Sequence, residues 1–174
     1  MTLFYPADNL LILDYNRVLK TLNGYSSAQF MEALEENFTI TPLEDGKSST
    51  VEKKHTFSMF LDHKWFTLEL KHDKLDLSTP VSQLDSQILT DTVLAPILGI
   101  EDLKKDSRID FVGGIRGHEE LEKRCLSDCA AAFALHPVNI EELLSVADAG
   151  LIMPPKSTWF EPKPRSGFCV RVFD

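Results

Sequence analysis

No run in this chain of 174 residues approaches the roughly 20 consecutive apolar residues that a membrane-crossing helix needs. Its first residues show no basic segment leading into an apolar core and a small-residue cleavage site, so no secretory signal is read. Cysteine is scarce: Cys125, Cys129 and Cys169 make an odd total of three. Without a signal sequence, that number reads as reduced thiols in a cytoplasmic protein, not as a disulfide framework. Cys125 and Cys129 have three residues between them, which is not the two-residue redox spacing. On a helix they would share a face as small semi-buried residues. Positive charge is also in deficit, with 18 Lys and Arg against 27 Asp and Glu and a formal net charge of -9. A binder of the nucleic-acid backbone needs a basic face, so that class is disfavoured. The five histidines have no partner at metal-ligand spacing, so no metal site is expected. A nucleophile elbow is absent as well.

What the chain does have is 43% hydrophobic residues, enough for an ordinary core in a single domain spanning 1–174. Apolar, strand-like sequence begins as early as Leu3, with none of the polar lead-in common at native N-termini. That start suggests the later part of a longer protein.

The most distinctive stretch runs from Met153 to Gly167. It holds Pro154, Pro155, Pro162 and Pro164, which rule out a helix and a central strand. A stiff, extended loop remains, carrying Lys156, Lys163 and Arg165 with Ser157, Thr158, Ser166, Trp159 and Phe160. Proline lowers the entropy cost of ordering such a loop. Its cations and hydroxyls suit a phosphate or carboxylate. The plainer reading is a solvated loop that Trp159 and Phe160 anchor to the core.

Periodicity organises the remainder. Residues 3–18 read as two short extended pieces around a Pro6–Asn9 turn, followed by an Asn23-Gly24 turn. Ser26 with Gln29 resembles a capping box, and Phe30, Leu34 and Phe38 suggest a helix leading into a strand over 38–41. Residues 44–54 are a solvated connector. Residues 55–70 alternate as a β-hairpin turning at Asp62-His63-Lys64. Val81, Leu84, Ile88 and Ala95 predict a helix over 81–97. Beyond it come a strand at 109–112, a helix at 118–125, a buried strand at 130–135 and a helix capped by Asn139. Ile140, Leu143, Leu144 and Ala147 are its expected apolar stripe, Gly150 its stop, and 168–173 a last strand. The class is α+β: a mixed sheet flanked by helices, with a hairpin-containing N-terminal part and a βαβαβ-like C-terminal part.

Three further constellations each have two readings. Gly113-Gly114, between a strand and a helix, suits an anion cradle or a plain turn. Arg108 and Asp110 suit substrate binding or an ion pair at the strand's edge. Asp85, beside Leu84 on a helix, suits a general base or metal ligand, or a solvent-facing carboxylate.

Several segments together resemble the later half of a bacterial family catalogued as domain of unknown function 1015. They are Ile12-Leu13-Asp14-Tyr15-Asn16-Arg17-Val18 with Leu22-Asn23-Gly24, Leu94-Ala95-Pro96-Ile97-Leu98-Gly99-Ile100, and Arg108-Ile109-Asp110-Phe111-Val112-Gly113-Gly114. Glu141-Glu142-Leu143 with Val146-Ala147-Asp148-Ala149-Gly150, and Met153-Pro154-Pro155-Lys156-Ser157-Thr158-Trp159-Phe160-Glu161-Pro162-Lys163, complete the match. Members are usually about twice as long, with an Ala-Asp-Gly-His-His-Arg type motif in a first half similar to the ParB and sulfiredoxin-like fold. That motif is missing here.

The resemblance implies a phosphotransferase using ATP or ADP with magnesium, of the kind that phosphorylates free serine. This chain would supply one wall of the phosphate and substrate cleft. Arg108, Gly113, Gly114, Lys156, Ser157, Thr158, Lys163 and Arg165 would bind, and Asp85 or Asp110 would catalyse. The implied partners are a small-molecule substrate or the missing half. A non-catalytic ligand-binding or assembly module is the alternative.

Overall fold

The computed structural model describes residues 10–44 and 49–163. Two short strands come first, β1 (Leu11–Leu13) and β2 (Tyr15–Leu19), then helix α1 (Ser27–Glu35) and strand β3 (Phe38–Pro42). Ser26 caps α1 through the expected reciprocal box: its side chain accepts from the Gln29 amide, and the Gln29 side chain accepts from the Ser26 amide. The hairpin follows as β4 (Thr56–Leu61) and β5 (Lys64–Leu70). Leu61 pairs with Lys64, which leaves Asp62 and His63 as a two-residue loop, both at positive φ (48° and 63°). That is the hairpin turn whose twist matches the flanking strands.

Helix α2 is shorter than the periodicity predicts. It spans Asp85–Leu89 and widens into a π-helical turn over Thr90–Leu94. Thr90 and Thr92 turn their hydroxyls back onto the carbonyls of Ser86 and Ile88, a competing bond that loosens regular helix. Strand β6 (Ile109–Gly113), helix α3 (Gly117–Ser127), strand β7 (Ala131–Leu135), helix α4 (Ile140–Asp148) and strand β8 (Trp159–Glu161) complete the order. Asn139 and Glu142 form the second capping box, and Gly150 ends the segment at φ 67°. The final strand expected at 168–173 and the turn at Pro6–Asn9 lie outside the described residues, as does Cys169.

The α+β class holds. Six strands form one sheet in the order β3-β5-β4-β7-β2-β6, and β1 and β8 form a separate two-stranded ribbon. Every described pairing is antiparallel, although a mixed sheet was expected. The reason lies in β2. The β6–α3–β7 crossover reads locally as a parallel unit, and β6 and β7 do run in the same direction. However, β2 from the start of the chain lies between them, antiparallel to both. This is a split β-α-β arrangement.

Both faces of the central strands are covered, so β4 and β7 are buried along their whole length. Leu19, Phe57, Met59 and Phe133 meet Phe30 and Leu34 of α1 and Ile88 and Val93 of the 85–94 segment on one face. Val18, Phe60, Val112, Ala132 and Ala134 meet Leu121 of α3 on the other. Val51, in the connector expected to be solvated, is also buried there. On α4 the expected stripe is corrected: Leu144 and Ala147 are exposed, and Val146 packs with Leu84 and Val138. Among the described residues the apolar contact of α4 is this small satellite cluster, and Lys54 also pairs with Glu142, so less of its apolar face is buried than its periodicity suggests.

Candidate functional site

The proline-rich loop enters from Met153, which packs against the Leu84–Val138–Val146 cluster. Pro154 is buried, and its carbonyl accepts the Ser157 hydroxyl at 2.8 Å. Between them Lys156 takes a left-handed backbone, φ 58°, which turns its exposed side chain back over the sheet end. The loop then straightens into β8, paired with β1 through Leu13↔Trp159 and Leu11↔Glu161. Part of the segment read as loop is therefore an edge strand, which the prolines permit because they flank it and do not interrupt it.

Trp159 anchors the loop. Its ring lies edge-on to Tyr15 at 5.3 Å, its Nε1 donates to Glu161 at 2.7 Å, and Lys163 Nζ sits 3.2 Å from its ring centroid. Beneath the indole is Gly113, where a β-carbon would collide with three ring carbons. Lys156 Nζ reaches the Tyr15 hydroxyl at 3.4 Å and lies 5.4 Å from the centre of that ring.

Two hollows open on either side of Lys156. One, of about 410 Å³, is lined by Tyr15, Lys156, Ser157, Thr158, Trp159 and Lys163, among others. The second, of about 520 Å³, is lined by Asp106, Asp110, Phe111, Pro155 and Lys156, among others. Both fall in the size range of small-molecule sites. A third hollow of about 490 Å³, beside Asn23 and Tyr25, contains none of the candidate residues.

Lys156, Ser157, Thr158 and Lys163 thus share one hollow, and Asp110 joins Lys156 in the next. Burial acts to raise the Asp110 pKa. The Phe111 amide at 2.8 Å and the Arg124 guanidinium at 3.0 Å outweigh it and hold the carboxyl below its ordinary range. Asp110 is therefore an engaged, ionised carboxylate. The glycine turn holds an anion of its own: the Asp14 carboxylate stands where a β-carbon on Gly114 would be. The Gly114 amide donates to the Asp14 carbonyl at 2.9 Å, and the Asp14 side chain accepts from Asn16.

Arg108 lines neither hollow, although its partner Asp106 lines the second, and it spends its guanidinium on the fold. Nε and Nη2 hold Asp106, while Nη1 and Nη2 also bond Asn23 and the carbonyls of Leu98 and Gly99 at 2.8–3.0 Å. Asp85 lines neither hollow. It begins α2, 5% exposed, with Oδ1 accepting from the His55 amide at 2.9 Å and Oδ2 without a partner among the described residues. Burial pushes its pKa up to about 7, although a helix N-terminus favours the anion. Arg165 lies outside the described residues.

Cys125 is on α3 and Cys129 lies two residues beyond its end. Burial raises both thiols, Cys125 to about 12, so both are inert at neutral pH. Among the described residues no group of three or more His, Cys, Asp and Glu side chains is placed to hold a metal ion, and no helix is long and apolar enough to cross a membrane.

Tyr15, which lines the first hollow, was not among the expected site residues, nor was the buried Arg17 two positions along the same strand. Period-two alternation along β2 places them on one face, and an arginine directly before Val18-Leu19 is the signal of a buried cation.

No curated protein matches the sequence. Among solved structures, the fold resembles a free serine kinase in complex with AMP at a TM-score of 0.53 and 14% identity, covering 91% of this chain and 56% of that one. A mutant free serine kinase in complex with ADP gives 0.51 at 15% identity with the same coverages. A conserved hypothetical protein from Pyrococcus furiosus gives 0.51 at 12%, covering 88% and 56%. The chain spans a little over half the length of these structures, and at such identities the likeness is one of fold. The family model described as protein of unknown function, DUF1015, matches residues 1–87. The chain belongs to that family.

Proposed function

We propose that this chain forms one wall of the phosphate and substrate cleft of a nucleotide-dependent phosphotransferase acting on a small molecule of the free-serine type. The observation that carries this reading is Lys156, held by a left-handed backbone between two hollows with its amine over Tyr15. The likeness in fold to kinases solved with AMP and ADP supports it.

Phosphoryl transfer needs positioning and charge neutralisation more than covalent chemistry. Lys156, Lys163 and Arg165 supply positive charge, and Thr158 and Ser157 add oriented hydroxyls. Ser157 already donates to Pro154, so its role toward a ligand is as acceptor. Asp110, tied to Arg124, acts as a fixed negative charge and not as a proton acceptor. Gly113 and Gly114 give the wall its shape by admitting Trp159 and Asp14. Arg108 and Asp85 stand apart from the cleft. The remaining length of the relatives completes the site, bringing the proton acceptor and the groups that hold magnesium with ATP.

A thermal-shift screen with ATP, ADP, AMP and serine, each with and without magnesium, tests the reading. A nucleotide that binds only the folded state raises the melting temperature by mass action, and Lys156→Ala removes that rise. A cooperatively melting chain that no nucleotide or serine shifts would mean that this wall binds only when the rest of the site is present, and a protein of the relatives' full length whose nucleotide response and phosphoryl transfer survive Lys156→Ala would sink the reading. The second reading, a ligand-binding or assembly half without turnover, is favoured by the pairing of Asp110 with Arg124. It predicts a ligand shift with no phosphoryl transfer even in a protein of the relatives' full length.

A further inference from the structure

Arg17 is fully buried at the centre of β2. Its cross-strand neighbours are Phe111 on β6 and Phe133 on β7, and its guanidinium lies 5.0 Å from the Phe111 ring centre. Nη1 donates to the Tyr15 carbonyl. Among the described residues Nε and Nη2 have no hydrogen-bond partner. Burial pulls the pKa down to about 10, which leaves the group charged at neutral pH. A buried, charged group with two donor nitrogens unpartnered is a costly arrangement that folded proteins avoid unless something completes it.

The two idle nitrogens are the side-on edge of the guanidinium. The same edge is filled elsewhere in this chain. Nε and Nη2 of Arg108 hold the two oxygens of Asp106, and Nε and Nη2 of Arg124 hold the two oxygens of Asp128 at 2.7 and 2.8 Å. Asp110 is bound by Arg124, and Asp14 accepts from Asn16. Among the described residues no acceptor is hydrogen-bonded to this edge of Arg17, and the side chains of its cross-strand neighbours Phe111 and Phe133 carry none.

We propose that the Nε–Nη2 edge of Arg17 is the binding fork for one oxyanion of a ligand, a phosphate or a carboxylate. Side-on guanidinium geometry matches both groups. The approach is from the loop. Phe111 carries the guanidinium and also lines the hollow that contains Asp110 and Lys156. Tyr15, whose carbonyl anchors Nη1, has its ring against Phe111 at 6.0 Å and under Lys156. Arg17 itself lines neither hollow, so binding at the fork requires the Phe111 and Tyr15 rings to move aside. This assignment deepens the reading of the loop as an anion-binding wall, and rests on it only for the direction of approach.

The test is a melting-temperature titration of the full chain with inorganic phosphate, AMP and acetate, on the wild type, Arg17→Met, Arg17→Lys and Lys156→Ala. Phosphate and AMP acting without acetate identify a phosphate fork; acetate acting alone identifies a carboxylate fork. Arg17→Met weakens the stabilising anion at least about tenfold, the scale of a lost charge-assisted bidentate contact. It also melts no lower than wild type without anion, because it removes an unpaired buried charge. Arg17→Lys keeps charge without a fork and recovers only part of the response.

An anion response that survives Arg17→Met but is lost in Lys156→Ala overturns the assignment and leaves the loop reading standing. The reverse pattern upholds Arg17 and removes Lys156. No response to any probe in the wild type overturns it too. Should Arg17→Met fail to fold, the Arg17 Nε–H resonance of the wild type decides: it moves on phosphate or acetate addition if the fork is filled, and an unmoved resonance overturns the assignment.

Discussion

Trp159 packs its indole directly over the bare α-carbon of Gly113, and no β-carbon fits between them. The contact fixes where β8 leaves the sheet end, and with it the position of Lys156 and Lys163. Gly113→Ala forces the indole outward at an overpacking cost of about 1–3 kcal/mol. Chemical denaturation measures that loss, and a red-shifted tryptophan emission reports the displaced ring. A variant with unchanged stability and emission would show that the loop does not depend on this contact.

Lys156 separates backbone from side chain unusually well. A non-glycine residue in the left-handed region costs about 1–2 kcal/mol, so Lys156→Gly gains stability while losing the amine. Lys156→Ala loses the amine and keeps the strain. Both variants are expected to lose the nucleotide-induced rise in melting temperature, and only the glycine variant melts above wild type. Retention of the nucleotide response in either would remove the amine from the site.

Arg108 serves here as a brace between the 98–106 segment and the Asn23 turn. Arg108→Lys cannot rebuild a five-donor fork, so both Arg108→Lys and Arg108→Ala lower the melting temperature. The ligand-induced increment should stay the same in both. A variant that melts like wild type but no longer responds to ligand would return Arg108 to the cleft.

Asp85 imposes a pH dependence of definite sign. Its carboxyl ionises near 7 in the folded protein against an ordinary 3.8, so between those values the folded state holds a proton that the unfolded chain has released. The stabilisation is complete below the unfolded value and is lost as pH rises through about 7, with an upper limit of about 4 kcal/mol. His55, which burial keeps below its ordinary 6.5, works in the opposite sense and loses its contribution as pH falls. Asp85→Asn should flatten the fall between pH 5 and pH 8, taken as rough bounds around the shifted value, and be the more stable protein at the alkaline end. Parallel pH profiles for variant and wild type would contradict the shift.

Local chemistry made much of this fold legible. Ser26 with Gln29 and Asn139 with Glu142 form the boxes their spacing announces, and the Asp62-His63 turn sits where alternation breaks. The Ala131–Leu135 run is buried on both faces as its composition implies. What stayed hidden depends on residues distant in sequence. Nothing near Ile109–Gly113 or Ala131–Leu135 tells that β2 separates them. The carbonyls that occupy Arg108 and the Asp14 carboxylate behind Gly114 come from other segments, so those residues read equally well as ligand groups. Lys156, Ser157, Thr158 and Lys163 share one hollow because they are neighbours in the chain. Tyr15 reaches that hollow, and Arg17 comes to lie against Phe111, through strand pairing, which alternation along β2 alone does not announce.

The placement of β2 between β6 and β7 also governs how the chain assembles. Val18 pairs with Asp110 on one side and Ala132 on the other, so the middle of the sheet closes only after most of the polypeptide has been made. Contacts of such long sequence separation slow folding, because the intervening loop must be ordered before the pairing rewards it. The stretch matched by the family, residues 1–87, ends before either neighbour of β2 begins. A chain cut at that boundary would keep the β3-β5-β4 meander and leave Arg17 on a strand with both edges bare. The boundary drawn by sequence kinship is therefore not a boundary of folding.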